Sequence, residues 1–589
     1  MQLSKRFPLP LALALTSLPT FAQLPAEDLL LGGPLRVSQM GEDGDTLTGT
    51  NFPHVAYNPS EDEFLVVWEG RNDTASPTEV YGQLVDASSG LALGDDFRIN
   101  SIGADVVSLD TPRVAYCSSN DSYLVVWSGA VQLVPGGAWD SEIWAQFVDG
   151  ATGALIGSSL RLSTMGATDG EDFYRAENPD VIYNPEWDEF LVVWQGSDDD
   201  SGLVTFDYDI FGQRLSPTGE ELGTDDFRIS DMGGLPFGTD AAVEPSVEWS
   251  PESQTYLVAW RNDDDELSPR EVYTQFLDVT GALVGDRLQI SSGSQLALDP
   301  QTAYNPDRQE FLLVWESQTT AHLVELRAQR IDATTGLEVG AEVKFTGLDT
   351  GISDSGARDP QVVYCATREL YFVACHDDLL SIFAGHQEVY GQWLDAETLA
   401  EVYADDFAVT QTGLPTQEDH YSRHVGLALR EGTDEVLVVY MAATGEAPLA
   451  ILEREIYAQR LRAPIGAQES VRVGTPPNPN VLLPGQTSGP VLGATWDPLV
   501  DHTSFLPNAQ LDVLGIHAQA LELPSNIGTF LALPAPNSVY LFSTPGVGFA
   551  SPTPVQLSLM GAQLTAQAAS IDGSTVTLTN ALDIVIGAY

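Results

Sequence analysis

The sequence predicts an all-β chain: a seven-bladed β-propeller closed by its own N-terminal strand, followed by a small β-sandwich-like domain. Three observations predict it. The apolar run Phe64-Leu65-Val66-Val67-Trp68 returns at Tyr123 to Trp127, Phe190 to Trp194, Tyr256 to Trp260, Phe311 to Trp315, Tyr371 to Cys375 and Val436 to Tyr440. The fullest copy carries four runs rich in Val, Ile, Tyr or Phe, bounded by Asn, Pro, Asp or Gly, which are strand and turn signals. The last copy ends without its fourth run, and a matching run stands ahead of the first copy.

In chain order, Met1 to Ala22 reads as a secretory signal: Lys5 and Arg6 precede the apolar stretch Pro8 to Leu18 and the small-residue site Thr20-Phe21-Ala22. Secretion follows as the expected localisation, to the extracellular space, the cell surface or the periplasm. No later apolar run is long enough to span a bilayer as a helix. The formal charge of the 589 residues is -59, and Lys344 is the only lysine beyond the signal. Such a surface repels nucleic acid and anionic lipid and suits salty media, divalent cations or cationic partners.

Domain boundaries are expected at 23–465 for the propeller, 466–485 for a Pro/Asn-rich linker and 486–589 for the C-terminal domain. The fullest repeat copy runs from Pro53 through Asp62 to Trp68, Glu79 to Asp86 and Asp96 to Asn100. Equivalent first-strand positions are Pro53, Pro112, Pro179, Pro245, Pro300, Pro360 and, without the proline, Arg423. A four-strand unit at that spacing is a propeller blade. An apolar residue at every position of the second strand fits a strand covered on both faces. Leu31 to Gly41 matches Leu222 to Gly233 and is expected to complete the last blade, removing its open edge.

Gln83, Gln146, Gln213, Gln275, Gln329, Gln392 and Gln459 recur in the third strand. A group present in every copy is structural, and the expectation is an amide bonded to backbone between strands. Cys117, Cys365 and Cys375 are expected as free, buried thiols, because the repeat positions hold them apart.

Antiparallel order sends the short turns between strands one and two and between three and four to one face. The long connections emerge on the other, where a rigid scaffold carries variable loops. Those loops are acidic. Asp198, Asp199, Asp200, Asp207, Asp209, Asp263, Asp264 and Asp265 are candidate calcium ligands, since calcium takes several carboxylate oxygens. The aromatics Trp139, Phe173, Tyr174, Phe206 and Tyr208 are candidate ligand-stacking residues or loop anchors. His376, His386, His420 and His424 are expected near the same face, unaccompanied by a zinc motif. Nucleophile-elbow, P-loop and dinucleotide signatures are missing, while carboxylates from different blades remain able to converge near the ring axis.

Beyond Asn480 the repeat ends, and short apolar runs separated by Pro, Gly and Asn predict the second β domain. Residues Leu31 to Leu461, with the phrases YNPxxDEFLVVW and VYGQxxD, resemble tandem-repeat propellers of secreted bacterial proteins. The stretch Gly489 to Trp496 and the ending Leu578 to Gly587 are similar to C-terminal modules of secreted bacterial proteins. The resemblance implies secretion and fold, with no activity or catalytic residue attached. The expected function is an extracellular, non-enzymatic binding or scaffold protein whose acidic loop face meets a glycan, a protein or a cation. The alternatives are a propeller hydrolase or lyase of extracellular polysaccharide and a structural matrix component.

Overall fold

A computed structural model describes residues 29–589 apart from 47, 74–75, 101–105, 132–139, 166–173, 198–207, 232–239, 265–269, 292–295, 319–323, 346–355, 378–386, 403–405, 413–419, 446–447, 451, 534–537 and 555–558. The predicted signal, Met1 to Ala22, lies outside the described residues. Among these residues every regular element is a strand, and the chain divides into a unit at Leu29–Ala463 and a second that takes in Pro464–Tyr589.

The first unit is a β-propeller built from seven four-stranded antiparallel sheets. Sheet one consists of Gly49–Asn58, Glu63–Arg71, Glu79–Asp86 and Ala92–Arg98 in that order. The first strands of sheets two to seven are Val106–Cys117, Ala176–Asn184, Asp240–Ser250, Leu296–Asn305, Ala357–Cys365 and Tyr421–Arg430. Each first strand neighbours the next, and the seventh neighbours the first. At that junction a Cβ on Gly426 would stand 3.0 Å from the carbonyl oxygen of Pro53, so glycine permits the approach.

The fourth strand of sheet seven is Leu30–Arg36, with Leu35 opposite Ala458 and Arg36 opposite Tyr457. Its charge chemistry repeats inside other sheets. Glu455, fully buried at the head of the third strand, meets Arg36 Nη2 at 2.5 Å and also accepts from Ser38 Oγ. Glu142 meets Arg161 and Ser163 in the same way, and Asp209 meets Arg228 and Ser230.

Packing explains the unbroken apolar second strand. Phe64, Val66 and Trp68 fill a core shared with sheet seven, whereas Leu65 and Val67 fill one shared with sheet two. All five are at most 2% exposed, so neither face of the strand has a solvent side to alternate toward. The recurrent glutamines bridge strands at a bulge: Gln83 Nε2 donates to Leu93 O at 3.0 Å and Gln146 Nε2 to Ile156 O at 2.9 Å. Cys117, Cys365 and Cys375 are free and buried.

One alignment is corrected. In the seventh sheet the register slip falls between Arg423 and Val425, so Val425, two residues beyond Arg423, takes the place of the recurrent proline. The expected linker at 466–485 is corrected too. Gln468–Arg472 is an edge strand paired with Thr575–Val585, and Leu482–Leu483 pairs with Leu499–Val500.

The second unit centres on a five-stranded sheet of Gln468–Arg472, Thr575–Val585, Gln563–Asp572, Leu511–His517 and Val539–Ser543, in spatial order. Leu482, Trp496, Val500 and Phe549 pack over Leu514, Ala566, Ala568, Leu582 and Ile584 to make its core. Three two-stranded pairs accompany this sheet.

Candidate functional site

At the start of every first strand one residue is forced into the left-handed region: Phe52 (φ 44°), Thr111 (48°), Asn178 (50°), Glu244 (57°), Asp299 (47°), Asp359 (49°) and His424 (52°). Each sits at a register slip against the second strand. Positive φ on a non-glycine residue costs about 1–3 kcal/mol, and a cost repeated seven times belongs to the architecture. What differs is the side chain delivered. All seven line one cavity of about 270 Å³ on the ring axis, together with His54 and Arg113.

The acids gather on one side. Glu244, Asp299 and Asp359 come from sheets four, five and six in succession. Glu316, the residue after Trp315 in the second strand of sheet five, stands behind them and is 1% exposed. Oxygens of Asp299, Glu316 and Asp359 lie within 4.8 Å of one another.

Main-chain amides fix this cluster. The N–H of Asp359 donates to Glu316 Oε1 at 2.7 Å, that of Asp299 to Glu244 Oε2 at 3.1 Å, and that of Glu244 to Gln195 Oε1 at 3.0 Å. Arg261 Nη2 holds Glu244 Oε1 at 2.9 Å, and Arg358 Nη1 approaches Glu316 Oε2 at 3.4 Å. On the far side of Asp359, His424 Nδ1 meets Oδ2 at 3.1 Å and His376 Nδ1 lies 3.5 Å from the same oxygen. Phe52 backs His424 with ring centroids 4.2 Å apart.

The two pocket-facing aspartates are driven in opposite directions. Burial pushes the Asp299 carboxyl well up, and the charges of Glu244, Glu316 and Asp359 push it further. Burial also opposes ionisation of Asp359, but the charges of His376 and His424 outweigh it and hold that carboxyl below the usual range. Burial and the neighbouring Asp359 raise Glu316 to about 7. Across the cavity, burial and then the Arg113 charge hold His54 well below its ordinary value, in its neutral form.

The sequence placed its candidates in the loops. Trp139, Phe173, Phe206, Asp198, Asp199, Asp200, Asp207 and Asp265 lie outside the described residues, as does His386. Tyr174 packs half-buried against the core between sheets two and three, and Tyr208 donates to Glu177 Oε2 at 3.2 Å. Asp209 is engaged by Arg228 and Ser230 within the sheet, so its oxygens serve the strand pairing. Asp263 and Asp264 are strand residues opposite Ala241 and Asp240, not loop residues. His376 and His424, suspected by position, do reach the cluster. Asp299, Glu316 and Asp359 were missed, although an acid before the recurrent proline in three successive copies was there to be seen.

A hard cation fits the three clustered carboxylates by charge and donor type. The same groups suit proton transfer, because neighbouring acids whose surroundings push their pKa values apart can act as donor and anion.

No family model matches the chain, and no curated protein matches it. Among solved structures it is similar to the GH93 α-L-arabinofuranosidase of Fusarium graminearum in complex with arabinobiose, at 13% identity over 62% of this chain and 96% of that one, with a TM-score of 0.40. It is similar to a PL25 ulvan lyase at 9% identity over 73% of this chain and 96% of that one, TM-score 0.46. It is also similar to the β-propeller domain of the trilobed protease from Pyrococcus furiosus at 10% identity over 72% and 96%, TM-score 0.37.

Proposed function

We propose that the protein is a secreted polysaccharide-degrading enzyme, a hydrolase or lyase, working at the axial cavity of a seven-bladed propeller. The observation that carries this reading is the convergence of the pocket-facing carboxyls of Asp299 and Asp359 with Glu316 within 4.8 Å, in surroundings that push Asp299 up and hold Asp359 down. Asp299 keeps a proton to give to a leaving glycosidic oxygen. Asp359, ionised, acts as base or nucleophile. Glu316 accepts from the Asp359 N–H, and burial together with Glu244, Glu316 and Asp359 favours the protonated form of Asp299. The half-buried Arg113 guanidinium on the opposite wall suits a uronate or sulfated sugar. The predicted signal at Met1 to Ala22 supports an extracellular site of action.

The test is a panel of neutral, uronic and sulfated polysaccharides incubated with the protein, scored for new reducing ends and for unsaturated uronates. Release from at least one substrate, lost in Asp359→Asn, supports the reading. A panel left intact by the wild type overturns it.

A second reading is favoured by the 4.8 Å convergence of Asp299, Glu316 and Asp359. In it, calcium occupies the cluster and the cavity binds a glycan without cleaving it.

A further inference from the structure

The ring axis has a second mouth, at the end of the first strands, and it is chemically unlike the first. A cavity of about 620 Å³ opens there, lined by Tyr57, Tyr116, Tyr183, Trp249, Tyr304 and Tyr364, one aromatic ring from each of six sheets. Every ring is backed by an aromatic of its own second strand. The Tyr57–Phe64 centroids are 5.1 Å apart, those of Trp249 and Tyr256 4.6 Å, and those of Tyr364 and Tyr371 5.1 Å. The phenol groups are pinned as well. Tyr116 donates to Asp121 at 3.0 Å, Tyr183 to Asp188 at 2.7 Å and Tyr364 to Asp307 at 2.7 Å. A phenol donating to a carboxylate has a more electron-rich ring, which strengthens the attraction of its face for a cation.

Among the described residues the lining has no positive group, and Arg430, which reaches the Tyr57 phenol at the rim, is paired with Asp62 and Glu435. The charged groups lining it, among the same residues, are Glu248 and Glu431, whereas the other mouth carries Arg113 and His424. Glu248 lies within the cavity, its Oε1 accepting from the N–H of Trp249 at 3.0 Å. Burial pushes its carboxyl up to about 7, and among the described residues no side-chain cation pairs with it, so an incoming cation would favour its ionised form.

We propose that this mouth is a binding site for a small organic cation, an alkylated ammonium or guanidinium group held by the aromatic ring and countered by Glu248. It stands apart from the axial cavity of Asp299 and Asp359, and neither reading depends on the other. A neutral sugar would gain the aromatic contact and could donate hydroxyls to Glu248, but it would not neutralise the carboxylate's charge. A compact cation uses both features.

Calorimetry on the full chain tests it with choline and its neutral carbon isostere dimethylbutanol as probes. The expected result is saturable choline binding at least tenfold tighter than that of the isostere, weakened about fivefold or more in Glu248→Gln. The melting temperature of the variant is measured alongside. Should that variant fail to fold, the choline-to-isostere ratio on the wild type decides alone. Equal binding of the two probes, no binding of choline, or full choline affinity in folded Glu248→Gln overturns the proposal.

Discussion

The main-chain N–H of Asp359 donates to Oε1 of Glu316 across 2.7 Å, tying the second strand of sheet five to the first strand of sheet six at the ring axis. That bond sets a residue with a positive φ beside a buried acid and brings two carboxyls together in a medium that cannot screen them. Replacing Asp299 or Asp359 with Asn preserves shape, and Asn tolerates the left-handed region. Each substitution is therefore expected to leave the fold intact while lowering polysaccharide cleavage by about 10²–10⁴-fold, the usual worth of positioned acid–base catalysis. Initial rates measured beside circular dichroism check this.

Stability of the first unit should fall as pH rises. Burial moves Glu142, Glu248, Glu316 and Glu455 from 4.5 to about 7 in the folded chain. For an acid with a raised folded pKa, the native state binds more protons. Its stabilising contribution is full below about pH 4.5 and is lost as pH climbs through 7, by roughly 3 kcal/mol for each fully shifted group. The melting temperature of the first unit is expected to be higher at pH 5 than at pH 8. The opposite order would show that these carboxyls are ionised and well compensated.

Calcium should act against that trend if the second reading holds. A cation bound to Asp299, Glu316 and Asp359 at a hundredfold excess over Kd stabilises by about 2.7 kcal/mol, most clearly at pH 8, where protons no longer compete. Differential scanning calorimetry with and without calcium reads the shift. An equal shift in Asp359→Asn would place the calcium elsewhere.

The closure of sheet seven rests on Arg36 and Glu455. Arg36→Ala removes the cation from a buried carboxylate and is expected to destabilise the first unit by about 3 kcal/mol, the lower end for a broken buried pair, because Glu455 is able to take up a proton instead. Urea unfolding followed by fluorescence measures it. A loss below about 1 kcal/mol would mean that backbone pairing alone holds the strand.

His502 makes the second unit pH-sensitive. Its Nε2 faces Asp512 Oδ2 at 2.9 Å and its Nδ1 faces the carbonyl of Phe505 at 2.8 Å, so both nitrogens meet acceptors and the imidazolium satisfies both. Burial opposes this, but Asp512 and the carbonyls outweigh it and raise the pKa. The stabilisation is present below about pH 6.5 and is lost as pH rises through the folded value. His502→Gln should flatten that dependence, as followed by NMR of the second unit's amides.

The repeat was legible because packing dictated it. A strand sandwiched between two cores must be apolar at each position, as Phe64 to Trp68 is, and the vacancy in sheet seven could be matched to Leu31 to Gly41 by pattern alone. The site was not legible, for two physical reasons. The seven-fold bulge has no signature in residue type: a position before proline reads as extended, yet Asp299 and Asp359 turn the other way. Convergence is also a property of the closed ring, which brings Asp299, Glu316 and Asp359 from two sheets to one point among 84 acidic residues. The acid-rich loops drew attention because their charges were adjacent in sequence. The linker at 466–485 was misread because its prolines hide the short edge strand Gln468–Arg472.

The most direct test is difference infrared spectroscopy of the carboxyl C=O band at pH 7, comparing the wild type with Asp299→Asn and Asp359→Asn. One protonated-carboxyl component is expected to disappear in Asp299→Asn and to persist in Asp359→Asn, over the background of Glu142, Glu248, Glu316 and Glu455, which titrate near 7. A band unchanged in the first variant, or removed only in the second, would contradict the assignment of donor and anion on which the axial site rests.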